Sequence, residues 1–416
     1  MSFADLLRSR MEQLERDGLL RRTTVSAGVG GKLRFHPTSA NGGHMWGPED
    51  GRTLLNFSSN DYLNLSQDSR VKRRAQEAID RWGCGATASR LMCGTLPPHE
   101  ELESALARLT GHETALVFSS GFGMNVGVLA ALAGRDDVIF ADRLSHASLI
   151  DGARLSGAAL KRYAHNDVAS LEDRLRTTSC RGNRLIVCES VYSMDGDVAP
   201  LHELRRLATQ YEALLLVDEA HAIGVWGEGG GLGMECRKVR LEPDGDSPDR
   251  DSANAELTLG TLGKALGSLG GFVACSRQMR EYLVNCARSF IYATALPPAS
   301  AAAALGAIEA IERDPGMGAR LLEQARAFHR ALRAEGLEMP EFGSQILPVL
   351  VGENRRALEL ASTLRERGLL VTAIRPPTVP EGTARLRLSV TLAHTAEDLS
   401  GAAAEIGSMA RCVEVG

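Results

Sequence analysis

The sequence predicts an α/β protein: a mostly parallel central sheet covered by helices on both faces, followed by a smaller C-terminal α/β domain. Two patterns carry this. The runs TALVF (114–118), DVIFA (137–141), RLIVCE (184–189) and ALLLVD (213–218) are apolar nearly throughout. Between them lie the helix-like segments GFGMNVGVLAAL, HASLIDGARL and LHELRRLATQ. Strands without a polar alternate face are buried on both sides, and parallel neighbours need helical crossovers. From about residue 296 the pattern changes. LPPASAAAALGAIEAIE opens long helices to about 336, followed by β-like runs at QILPVLV, LLVTAI and ARLRLSV.

In chain order, residues 3–20 come first, with Phe3, Leu6, Leu7, Met11 and Leu14 at helical spacing and Ser2 and Asp5 as a capping pair. A Gly-rich polar linker over 24–51 separates this amphipathic arm from the first strand. The segment 236–255, CRKVRLEPDGDSPDRDSANA, is polar and acidic with Gly and Pro, which reads as a surface loop. The expected division is 1–55 arm and linker, 56–295 large domain, and 296–416 small domain.

With 416 residues, 44% apolar and 24% charged, the chain can build a large core without staples. A net charge of -5 argues against nucleic acid or an anionic membrane as the main partner. Eight cysteines, at 84, 93, 180, 188, 236, 275, 286 and 412, include no C-x-x-C pair and no short His/Cys cluster of metal-ligand spacing. No metal is expected, and reduced thiols in a cytoplasm fit this usage. The charged N-terminus lacks a signal-peptide core, and no run of about 18 apolar residues occurs. The expectation is a soluble, cytoplasmic protein.

The chemistry gathers at strand ends. Asp218 closes ALLLVD and opens DEAH, placing His221 in the following loop. A helicase would need an upstream phosphate-binding G-x-x-x-x-G-K-[ST] loop, which neither Gly31-Lys32 nor Gly263-Lys264 completes. A dehydrogenase would need a G-x-G-x-x-G turn after an early strand, also missing. Taken alone, a strand-end Asp is a cap or turn residue, and a lone His a packed or surface group. Lys264, the one charge in TLGTLGKALGSLGG, alters that balance. Flanked by Leu262, Ala265 and Leu266, its amine can be desolvated and left partly neutral and nucleophilic. A Schiff-base lysine, an Asp for a pyridinium nitrogen and a phosphate held near Thr261 describe pyridoxal phosphate (PLP) chemistry. SSGFGMN, opening a helix after TALVF, is a second place for the phosphate. In ADRLSHASL, His146 follows a strand, where an imidazole either stacks on a flat ring or caps a helix.

Together SSGFGMN, ADRLSHASL, AHND, VYSMDGD, VDEAHAIGVWG, TLGTLGKALG, IYATALPP and RLRLSVTLAH, in this order and spacing, resemble the α-oxoamine synthases. These are PLP-dependent transferases of fold type I. The resemblance runs from the N-terminal arm to about residue 400. AHNDVASL and IRPPTVPEGTARLRLSVTLAH resemble the biotin-pathway branch, which joins L-alanine to a pimeloyl thioester of CoA or a carrier protein. It implies Lys264 as the covalent attachment point, Asp218 on the ring nitrogen and His146 stacked on the ring, these three being catalytic. His221 and Ser193 would lie near the ring hydroxyl. Thr261 would hold phosphate, Gly121 and Phe122 would touch the cofactor, and Thr294 would reach the neighbouring subunit's phosphate in a homodimer. Arg387 would take the amino-acid carboxylate, with Arg21, Thr378 and His146 as further substrate contacts. Glu219, Ala222 and the segment 83–95 depart from the family pattern. Other members, which use glycine or serine with a different acyl-CoA, are the competing reading. So is a PLP fold without catalysis, which the full set Lys264, Asp218, His146, His221 and Arg387 opposes.

Overall fold

The structure, a computed structural model, describes residues 2–21, 26–27, 31–35, 53–239 and 256–414. The chain begins with the helix Phe3–Arg16, stopped at its start by the expected capping pair: Asp5 N donates to Ser2 Oγ at 3.2 Å and Ser2 N to Asp5 Oδ2 at 3.0 Å. Each bond satisfies a backbone donor at the chain's helical entrance. Strands β1 (Ser26–Ala27) and β2 (Lys32–Phe35) follow within the segment expected to be linker. Most of the remaining 24–51 segment lies outside the described residues. Strand β3 (Thr53–Asn56) pairs antiparallel with β2.

The central sheet is built from β4 (Thr114–Phe118), β5 (Val138–Asp142), β6 (Ala159–Tyr163), β7 (Arg184–Glu189), β8 (Ala213–Asp218), β9 (Glu256–Thr261) and β10 (Gly271–Cys275). Their order is β4-β10-β9-β8-β7-β5-β6. Only β10 runs against the rest, antiparallel to both β4 and β9. Leu116, Ile139, Val187, Leu216 and Leu259 from five of these strands bury together with Met124, Val128 and Leu149 from the helices Gly121–Leu132 and Ala147–Ser156. Full burial of each such side chain contributes about 1.5–3 kcal/mol, so this cluster holds the strand ends in place. The helix Leu232–Val239 runs into the segment expected to be loop from residue 236, and 240–255 lies outside the described residues.

After the helices Pro298–Arg313 and Met317–Ala334 come β11 (Ile346–Gly352), β12 (Leu369–Leu370), β13 (Thr372–Ile374) and β14 (Ala384–Ser389). Strands β11, β14 and β13 form an antiparallel sheet, while β12 pairs in parallel with β3. Two compact units result: residues 60–193 with 197–322, and residues 1–59 with 194–196 and 323–416. This division differs from boundaries at 55 and 295. The β3–β12 ladder ties the N-terminal segment to the C-terminal one. The helix Pro298–Arg313 belongs to the larger unit because its alanine-rich face, including Ala301, Ala304 and Ala307, is buried against the helix Ser69–Trp82. Among the described residues no helix is long and apolar enough to cross a membrane.

One close approach fixes the mouth of the sheet. A Cβ on Gly271 would come within 2.6 Å of Gly121 Cα and 2.8 Å of Ser120 O, where β10 passes the start of the helix Gly121–Leu132. A methyl group there forces strand and helix apart. Gly271→Ala should lower the unfolding free energy by about 2 kcal/mol, read from the urea midpoint at unchanged slope; an unaltered midpoint would show that the contact yields.

Candidate active site

Gly121, Phe122, His146, Asp218, His221, Thr261 and Lys264 line one cleft of about 170 Å3 in the larger unit. The sheet brings them together. Parallel strands β5, β7 and β8 end at the same edge, and the register sets Glu189 beside Asp218. Ligands of open α/β sheets bind at such carboxyl ends.

Asp218 is only 5% exposed. Asn125 Nδ2 donates to its Oδ2 at 2.8 Å and Ala220 N to its Oδ1 at 3.0 Å, so each oxygen of the buried carboxylate is partnered. Beside it, burial and the Asp218 charge push Glu189 up to about 8. Glu189 therefore enters the cleft wall as a neutral acid at pH 7, leaving Asp218 as the anion.

Lys264 sits in the turn between β9 and β10. Gly267 N donates to Lys264 O at 2.9 Å and Ser268 N to Leu262 O at 2.9 Å. Gly267 has φ +60, and a Cβ there would lie 2.3 Å from Ser66 N, so this turn needs glycine. Leu262, Ala265 and Leu266 are buried and anchor the loop, while Lys264 itself is half-buried. Its Nζ lies 2.7 Å from His221 Nε2, and His221 Nδ1 lies 2.6 Å from the Tyr62 hydroxyl. A charged amine only donates, so Nε2 accepts and the ring proton lies on Nδ1, facing Tyr62.

The helix Gly121–Leu132 opens with Ser120 as its cap, Gly123 N donating to Ser120 Oγ at 3.0 Å. A Cβ on Gly121 would come 3.2 Å from Thr261 Oγ1, so the glycine lets the helix start lie against that hydroxyl. His146 is open to solvent on one side, yet the surrounding protein desolvates its ring enough to push its pKa below the ordinary histidine value. Asp218 opposes that shift and Lys264 adds to it. The residues present fit PLP on their own chemistry: an anion site at a helix start beside a hydroxyl, a buried carboxylate for a cationic ring nitrogen, and an amine at hand.

Ser193 and Thr294 are not among the residues lining this cleft; Thr294 is exposed and bridges to Ser89. Arg21 and Thr378 line a second pocket, of about 520 Å3, in the smaller unit. There Arg375, absent from the expected set, donates from Nη2 to Leu20 O at 3.0 Å. Burial and the Arg21 charge push its pKa below the ordinary guanidinium value. Arg387, buried on β14 of the same unit, donates from Nη1 to Ser389 Oγ at 2.8 Å. Asn125, Ser148 and Glu189 also line the cleft, outside the set expected from sequence. Glu189 had a signal: an acidic residue closing an apolar run, as Asp218 does.

The family model for aminotransferase class I and II matches residues 52–406. The 8-amino-7-oxononanoate synthase of Alkalilimnicola ehrlichii is 46% identical over 361 residues, covering 86% of this chain and 89% of that protein. The 8-amino-7-oxononanoate synthase of Trichlorobacter lovleyi is 41% identical over 414 residues, covering 98% of each chain. A serine palmitoyltransferase variant from S. paucimobilis, solved with a bound PLP–myriocin aldimine, superimposes with a TM-score of 0.86 at 30% identity, covering 99% of this chain and 98% of that one.

The AHND motif lies outside the cleft lining and has a structural part of its own. Burial of the His165 ring opposes protonation, but bonds to Asp142 Oδ1 at 2.9 Å and Asp197 Oδ2 at 2.7 Å outweigh it and hold its pKa at about 10. Asn166 Nδ2 also donates to Asp197 Oδ2, at 2.6 Å. The folded pKa is raised above the unfolded value of about 6.5, so this stabilisation is fully present below that pH and is lost as pH rises towards the folded value. His165→Gln should therefore denature at lower urea than the wild type. The gap should be widest below about pH 6.5 and close as pH climbs past the folded pKa. A gap that does not vary with pH would exclude this ion pairing.

Proposed function

Because the chain belongs to the aminotransferase class I and II family, we propose that it carries out the biotin-pathway condensation of L-alanine with a pimeloyl thioester. The products are 8-amino-7-oxononanoate, carbon dioxide and the free thiol of CoA or a carrier protein. The observation that carries the reaction type is Lys264 facing His221 in the same cleft as the buried Asp218. For the substrates, the support is the 41–46% identity to synthases of this name, against 30% to the serine palmitoyltransferase.

When bound, PLP supplies a carbonyl for the amino acid's amine and a cationic ring that accepts the electron pair left at its α-carbon. Lys264 Nζ would be its attachment point. The same amine would remove the α-proton of alanine and, once carbon dioxide has left, return a proton to that carbon. The Asp218 carboxylate would hold the proton on the ring nitrogen. His146 would lie against the ring and hydrogen-bond substrate. His221, with Ser193, would hold the ring hydroxyl, and Tyr62 fixes the His221 tautomer. Thr261 and the helix start at Gly121 and Phe122 would take the phosphate. Arg387 grips the alanine carboxylate with its planar fork, and Arg21 and Thr378 contact the acyl substrate. Its place is the cytoplasm. The acting form is a homodimer in which Thr294 serves the partner's site. Its support is the exposure of large apolar side chains at Met92 (80%) and Tyr292 (70%), on segments joined by the Ser89–Thr294 bridge.

A second reading, condensation of glycine or serine with another acyl-CoA, is favoured by the close superposition on serine palmitoyltransferase. Purified protein assayed with alanine, glycine and serine against pimeloyl-CoA and other acyl-CoAs separates the two. Alanine with the pimeloyl thioester should be preferred by at least tenfold in kcat/KM, about 1.4 kcal/mol, and preference for glycine with a short acyl chain would overturn the substrate assignment. Lys264→Ala should lose both turnover and the visible absorbance of the attached cofactor. Asp218→Asn should fold and bind PLP yet lose about 10²-fold or more in kcat; a fully active variant would remove Asp218 from the mechanism.

A further inference from the structure

Asp218 closes β8 and His146 caps the helix Ala147–Ser156, and hydrogen bonds connect them. Asn125, on the helix Gly121–Leu132, is buried, and its Nδ2 lies 2.8 Å from Asp218 Oδ2 and 2.9 Å from Ser148 Oγ. A carboxylate only accepts, so the amide nitrogen must face it, and its two hydrogens supply both bonds. Asn125 Oδ1 is buried with no hydrogen-bond partner among the described residues. An unmet acceptor is costly, so the side chain is held there by its two donations.

The logic passes along the chain. Ser148 is 1% exposed; its hydroxyl accepts from Asn125 and has one proton to give, with His146 Nδ1 2.7 Å away. Ser148 N also points at His146 Nδ1, at 3.3 Å. Two donors aimed at one ring nitrogen require a lone pair there.

We infer that Asn125 and Ser148 are positioning residues, a relay from Asp218 Oδ2 to His146 Nδ1 that holds the imidazole neutral with its proton on Nε2. That this serves the cofactor rests on the function proposed above; the tautomer follows from the hydrogen bonds alone. The ring's surroundings agree. Desolvation and the Lys264 charge oppose a second proton, Asp218 and Asp151 favour one, and Glu189 Oε1 accepts from His146 N at 2.6 Å. A proton on Nδ1 would face the Ser148 N–H, donor against donor. The relay thus links the charge on Asp218 to the tautomer of His146.

Imidazole ¹⁵N shifts of histidine-labelled holoenzyme, with His146 assigned by its disappearance in His146→Gln, read the tautomer directly. The wild type should show His146 with protonated Nε2 at pH 7. Ser148→Ala should shift the tautomer ratio by about fivefold, the size of one hydrogen bond, and Ser148→Thr, which keeps the hydroxyl, should restore it. Asn125→Ala tests the same relay from its other end. It should move the His146 shifts in the same direction and also displace the pH midpoint of the cofactor's absorbance, through Asp218. An Nδ1-protonated ring in the wild type, or unchanged shifts in both Ser148→Ala and Asn125→Ala, would overturn the inference. Wild-type protein that takes up no PLP would instead sink the proposed function, while the tautomer remains readable in the same samples.

Discussion

A carboxylate buried at the end of a strand must be surrounded by donors, and the cleft is organised around that demand at Asp218. Its backbone position follows from β8, whose buried residues fix the strand between β7 and β9. Its oxygens are then met by an amide from one helix and a backbone N–H from its own loop. The register places a second acid, Glu189, at the same level. Two adjacent buried carboxyls cannot both ionise cheaply. The division of roles follows: Glu189 has no side-chain donor among the described residues but accepts the His146 N–H and stays neutral, whereas Asp218, with donors to both oxygens, keeps the charge.

The opposite charge is delivered by a different device. Lys264 belongs to no regular element; it occupies a turn whose ends are paired in the β9–β10 ladder and whose middle is closed by bonds back to Leu262 and Lys264 O. The buried leucines on either side fix this turn, and His221 then receives the amine. Because β9 runs parallel to β8, the turn that follows it lies at the edge where β5, β7 and β8 end. The parallel β9 thus brings a lysine far along the chain to the strand-end acids, and the antiparallel return in β10 keeps the connection that carries it short.

Most of this was legible wherever burial acts on both faces of an element. β4, β7 and β8 match the runs TALVF, RLIVCE and ALLLVD residue for residue, because a doubly covered strand has no polar face to blur its ends. The edge strand β6 was not legible. Its sequence ALKRY carries Lys161 and Arg162, as an edge exposed to water permits, and so resembles a loop. The β3–β12 pair joins residues from opposite ends of the chain over two positions, too short to leave a periodic signal. In the cleft, residue types with one distinctive chemistry, such as Lys264 and Asp218, stood out. Asn125 and Ser148 did not, since their role lies only in which atoms they bring within hydrogen-bond range of each other.

The sequence DEAH shows how far adjacent residues can part company. Asp218 and His221 turn into the cleft, but Glu219 turns away and is fully buried. Its carboxylate accepts from Ser190 Oγ at 2.6 Å, Leu232 N at 3.1 Å and Gly233 N at 2.6 Å. The last two are backbone donors in the first turn of the helix Leu232–Val239, which would otherwise lack partners. Gly231 and Gly233 make room, since a Cβ on either would lie within 3.0 Å of the Glu219 carboxyl group. The length of this side chain has a physical reason. The carboxylate already reaches three donors across glycines that leave it space, and an aspartate, one methylene shorter, would fall short of them. Glu219 thereby ties β8 to the helix beyond it. The loop that carries His221 runs between these two fixed points, so a residue with no part in the chemistry helps to set where His221 meets Lys264.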